Sequence, residues 1–162
     1  MGFKFNGQAR LTGMNVRSEN HGDEPVTAID LKFEVEDAQA ACLYPVLGID
    51  GDEEQQKAFA AGMWDEDGPR FSGITEIICW AKFEDHHTLR GTLSAEPVHV
   101  DKVHKFAFKP WGTGRADIKF TVSIQEPSDS LLTNAADSLK DLITIEVDHE
   151  PELDLGQQEE AA

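Results

Sequence analysis

Apolar and polar residues alternate along the segment from Val26 to Glu36, without a break from Ile29 onward. Thr27, Ile29, Leu31, Phe33 and Val35 fall on one side of an extended chain, and Ala28, Asp30, Lys32, Glu34 and Glu36 on the other. Such a segment is a strand with one buried face and one charged face. Phe3 to Val16 reads as a strand before it, and the turn residues between Ser18 and Pro25 join the two as a hairpin. Good helix formers predict a short helix from Asp37 to Leu43, ended by Pro45, and another from Asp52 to Met63. Further strands are expected at Ile74–Phe83, Thr88–Ser94, Val98–Lys109 and Ala116–Ile124, with turns at Glu84–His87 and Pro110–Arg115. Leu131, Leu132, Ala135, Ala136, Leu139 and Leu142 keep helical spacing, so a helix is placed from Pro127 to Leu142, with Ser128 or Asp129 as its cap. Leu142 to Val147 then closes the sheet. The expectation is a mainly β (α+β) fold, an antiparallel β-sandwich or partly open barrel with two or three short helices.

With 162 residues and 40% hydrophobic content, the chain suits one domain, placed at 1–148. The remainder, 149–162, is too polar to pack and is read as a disordered acidic tail. The net charge of −17 is unevenly spread. Residues 71–125 hold 7 basic and 6 acidic side chains, whereas 126–162 hold 11 acids against Lys140 alone. The centre is therefore a place where phosphate binding is electrostatically conceivable despite the acidic whole. No apolar run of about 18 residues occurs, so no membrane span is expected, and the first residues lack a signal-peptide core. Cys42 and Cys79 are read as free thiols of a cytoplasmic protein.

Motifs for catalysis or metal binding are fragmentary. Asp30-Leu31-Lys32 has the acid-x-Lys form of a metal-dependent nuclease, but the upstream acid would have to be Asp23 in a turn. Asp50, Asp52 and Glu54 alternate like calcium ligands, yet Gln55 stands where such a loop needs glycine, and Ala61 where it needs glutamate. His86 and His87 are adjacent in a turn, and with His99 or His104 they lack the spacing of a zinc site. No phosphate-binding or nucleophile motif occurs. The reading is a protein that is not an enzyme, with no cofactor and no metal.

The segment from Val98 to Trp111 carries the binding hypothesis. Alternation sends Lys105, Ala107, Lys109 and Trp111 to one face and His104, Phe106 and Phe108 to the other; Arg115 and Lys119 lie across the hairpin. Lysines tracking phosphates beside an aromatic ring that stacks on a base are what single-stranded DNA requires. The acidic tail would occupy that surface when DNA is absent, or recruit a basic host or phage protein. The alternative is an acidic, DNA-mimicking inhibitor of a nucleic-acid-binding host protein, such as one of a defence system. It would present Asp30, Glu34 and Glu36. The stretch Asn15 to Lys32, with its NVR…HGDE.V.A.DL pattern, resembles a group of small proteins encoded by temperate phages and prophages. That resemblance implies a phage origin and the host bacterial cytoplasm, and it supplies no site residue. The function expected is thus a phage-encoded accessory protein in DNA replication or recombination.

Overall fold

The computed structural model describes residues 2–61, 64–65, 68–69, 76–110 and 114–149. The elements run β1 (Phe5–His21), β2 (Glu24–Gln39), α1 (Tyr44–Leu47), α2 (Glu53–Ala60), β3 (Trp64–Asp65), β4 (Gly68–Pro69), β5 (Ile77–Cys79), β6 (Phe83–Gly91), β7 (Val98–Pro110), β8 (Arg115–Gln125), α3 (Asp129–Asp137) and β9 (Leu142–His149). The mainly β, antiparallel class expected from the alternation is what forms. Strands β7, β6, β9, β1, β2 and β8 pair in that order, and β7 pairs again with β8, so the six close into a barrel. Strand β5 adds to the wall of β7, on the side and in line with β6.

From Ile29 onward the run does what alternation demands, with Ile29, Leu31, Phe33 and Val35 buried; before it Thr27, expected inward, is exposed, and Ala28, expected outward, is buried. The four inward residues stand beside Ile124, Val122, Phe120 and Ile118 of the adjacent β8, their direct ladder partners, and share one core with Phe106 and Phe108 of β7. Phe3, just before β1, plugs one end of the barrel. Its ring lies 5.1 Å from Phe106 and 5.0 Å from Phe120, and its backbone N–H donates to Nε2 of the buried His87 at 3.1 Å.

Long strands must bend to close a small barrel, and bulges supply the bends. The register shifts between Val35 and Ala38, between Glu84 and His87, and between His104 and Ala107. One residue at each shift takes a positive φ: Asp37 (53°), His86 (58°) and Lys105 (57°). Glu84–His87, expected as a turn, is therefore a bulge inside β6. At Gly91 (φ 133°) the backbone runs so close to the Thr144 carbonyl that a Cβ would collide with it, so glycine is required there.

The helices differ from expectation at their ends. β2 continues to Gln39 and is followed by a 3-10 turn, Ala40–Leu43, rather than a helix from Asp37. Pro45 starts α1 instead of ending a helix, because the first turn has no use for its missing N–H. α2 begins behind Asp52, whose carboxylate accepts from Gln55 N–H at 3.1 Å. α3 is capped by Ser128 and stops at Asp137, well short of Leu142, which opens β9 and is exposed. Of the strand expected at Ile74–Phe83, Ile74 and Thr75 lie outside the described residues, and the rest is broken into β5 and the start of β6, with Trp80, Ala81 and Lys82 between them. β9 runs through His149, one residue past the domain boundary read from the sequence.

Candidate functional site

The cations singled out in the sequence lie on one wall, though not as a free stripe. Lys105 and Lys109 are exposed on β7, and on β8 Lys119 is exposed and Arg115 half-buried; Trp111 lies outside the described residues. Lys119 Nζ sits 3.1 Å from Glu76 and 3.6 Å from Glu34, and the Glu76 carboxylate holds its ammonium above the usual lysine range. Arg115 Nε donates to Asp37 Oδ1 at 2.8 Å. Lys109 and Lys105 make no ion pair among the described residues.

The carboxylates of the alternative surface are engaged in a similar way. Asp30 accepts from Arg17 Nε at 2.9 Å and Nη2 at 3.2 Å, and from the Ser123 hydroxyl at 2.6 Å. Glu34 faces Lys119 across the β2–β8 ladder, and only Glu36 of the three stands in solvent without an ion pair among the described residues.

The bulge at Lys105 reshapes this wall. His104 was expected beside Phe106 and Phe108. The extra residue instead turns His104 outward, where its Nε2 lies 2.9 Å from Ser123 Oγ, while the two phenylalanines stay in the core. A continuous polar chain results: Arg17, Asp30, Ser123, His104. It contains the three residue types of a hydrolase triad in the wrong order. The Ser123 hydroxyl gives its single proton to Asp30, so His104 must donate to the serine and cannot accept its proton as a base. Ser123 is also buried. The chain is a structural clasp between β1, β2, β8 and β7. Asp23, the acid a nuclease site with Asp30 and Lys32 would need, lies seven residues from Asp30 at the far tip of the β1–β2 hairpin, ~23 Å away along an extended strand.

Burial, helped by Lys102 and Lys105, lowers the His104 pKa to about 4, against the attraction of Asp30. Between pH 6.5 and that value the unfolded chain binds a proton that the folded chain does not. Stability therefore falls as pH drops through this window. His104→Asn, which keeps a donor for Ser123, is expected to flatten that part of the pH–stability profile in thermal melts. An unchanged slope would show that another group controls it.

A feature the sequence reading passed over stands next to this clasp. β5 pairs with Phe106–Phe108 and β6 resumes opposite Val103, so Trp80, Ala81 and Lys82 cross a break in the ladder facing the Lys105 bulge. The break forms a groove of about 450 Å³ lined by Ile78, Cys79, Trp80, Ala81, Lys82, His104, Lys105, Phe106, Ala107 and Glu76. Trp80 is 91% exposed and Ile78 56%. An indole so open to water, flanked by two lysines, has no packing role. Its signal in the sequence was the unbroken apolar run Ile77-Ile78-Cys79-Trp80, which makes both faces of one short strand apolar when only one can be buried.

Cys79 and Cys42 are free thiols pushed up to about 12 by burial, so neither is an activated nucleophile. Among the described residues no group of three or more His, Cys, Asp or Glu side chains is placed to hold a metal ion, and no helix is long and apolar enough to cross a membrane. No family model matches the chain, and no curated protein or solved structure matches it significantly.

Proposed function

We propose that the protein is a phage-type, non-enzymatic accessory factor of DNA replication or recombination, acting in the bacterial cytoplasm by holding single-stranded DNA across the outer face of β5 and β7. The observation that carries this reading is Trp80, 91% exposed above a groove whose rim bears Lys82 and Lys105. A base stacks on the indole, Lys105 and Lys82 meet the flanking phosphates, the latter exchanging its loose 3.8 Å pair with Glu84 for the strand, and Lys109 extends the cationic track along β7. Arg115 and Lys119, held by Asp37, Glu34 and Glu76, shape the wall and contribute little to the strand. Two of the three carboxylates of the inhibitor reading, Asp30 and Glu34, are engaged within the protein, which favours strand binding over DNA mimicry.

Few phosphate contacts mean a shallow salt dependence. With three lysines the slope of log K against log salt is expected at about −2, since each neutralised phosphate of a single strand contributes roughly 0.7. Fluorescence anisotropy of a labelled oligothymidylate across a salt series measures it. Lys105→Ala should reduce the slope by about 0.7 units. An unchanged slope would remove Lys105 from the interface.

A further inference from the structure

Strand β9 ends at His149, paired with His87, but its neighbour β6 goes on beyond that pair to Phe83, followed in line by Trp80–Lys82 and β5. Among the described residues, the edge from Phe83 to His86 has no strand beside it on the β9 side, and β5 pairs only with β7. Exposed strand edges are templates for another extended segment. From the ladder partners His87–His149, Thr88–Asp148 and Leu89–Val147, an antiparallel continuation carries residue 150 onward along His86, Phe83 and then Trp80.

We infer that this open edge is the docking site of the chain's own segment 150–162, added to the sheet as a continuation of β9. The lengths agree. Residues 150–162 reach up to ~43 Å when extended, and the edge from His86 to Ile77 is ~33 Å long. The chemistry agrees as well. In Glu150-Pro-Glu-Leu-Asp-Leu-Gly, Leu153 and Leu155 alternate with Glu152 and Asp154, so one side of the strand is apolar and the other anionic. Continuing the ladder sets Leu153 opposite Phe83 and Asp154 opposite Lys82, so the apolar side of the added strand joins the Phe83 face and a carboxylate meets the Lys82 ammonium. The inference rests on topology and complementarity, and holds whether or not the groove also takes DNA.

The test uses the full chain and no nucleic acid. Hydrogen exchange of the amides from Ile77 to His86 is compared between the wild type and the double variant Leu153→Asp, Leu155→Asp. Docking in cis gives at least tenfold faster exchange along that edge in the variant, a blue-shifted Trp80 emission in the wild type only, and a monomer in both by light scattering. A synthetic peptide of residues 150–162 should then protect the edge of the variant and leave the wild type unaffected. Equal exchange in the two proteins would overturn the inference. So would protection that accompanies a wild-type dimer lost in the variant, because the occupant would then be the segment of a second copy. Failure of oligonucleotide binding with this exchange difference intact would sink the strand-binding reading alone.

Discussion

Phe120→Ala is expected to be the most damaging single substitution in the core, lowering unfolding free energy by about 3–5 kcal/mol. The ring stands at the centre of the barrel, 5.0 Å from Phe3, 5.6 Å from Phe33, 6.1 Å from Phe106 and 6.4 Å from Phe5. Those partners come from the segment before β1, β1 itself, β2 and β7, so one truncation loosens the plug and three walls together. A cavity there cannot collapse easily, because closed ladders fix the backbone on all sides. Phe120→Leu retains most of the volume and should cost clearly less. Urea unfolding of the three proteins measures both changes. A loss below about 1 kcal/mol for the alanine variant would mean that the barrel interior is not packed as described.

Trp80→Ala is expected to weaken oligonucleotide binding by about 1–3 kcal/mol, the contribution of one base–aromatic stack. At the upper end that is a loss of more than a hundredfold in affinity. Because the side chain is almost wholly in water, the same substitution should shift the melting temperature little. Trp80→Phe keeps a π-face and should restore much of the affinity, whereas Trp80→Leu keeps apolar area without one and should not. Leucine performing as well as phenylalanine would identify an apolar docking patch instead of a stacking platform.

How far the sequence revealed this molecule depends on where the strands bulge. From Ile29 to Val35 the pattern of period two runs undisturbed, and every inward residue was assigned correctly. On β7 the same logic holds through Phe106 and Phe108 but misplaces His104, because the left-handed residue at Lys105 inserts a step and Val103 turns inward in its place. Lysine carries no signature of that conformation, so the bulge was not legible. The helix expected at Asp37–Leu43 failed for a related reason: the ladder with β8 extends β2 to Gln39, and pairing outweighs local helix propensity. The site was half visible. Lys105 and Lys109 were placed on an exposed face and are there, whereas the ion pairs of Lys119 and Arg115 bring in Glu34, Glu76 and Asp37 from far along the chain. Those partners depend on barrel closure, which alternation alone does not specify.

The central claim is that the outer face at the β5–β6 break is where a single strand lies, and amide chemical-shift mapping tests it most directly. Short oligothymidylate is titrated into isotopically labelled full-length protein and into the Leu153→Asp, Leu155→Asp variant, at ~50 mM salt, where phosphate contacts are strong. The expected result is saturable perturbation of Ile78 to Lys82 and His104 to Ala107, joined by the Trp80 indole N–H, and larger in the variant. Perturbation confined to the β1–β2 face around Asp30 and Glu36, or none in either protein, would contradict the account.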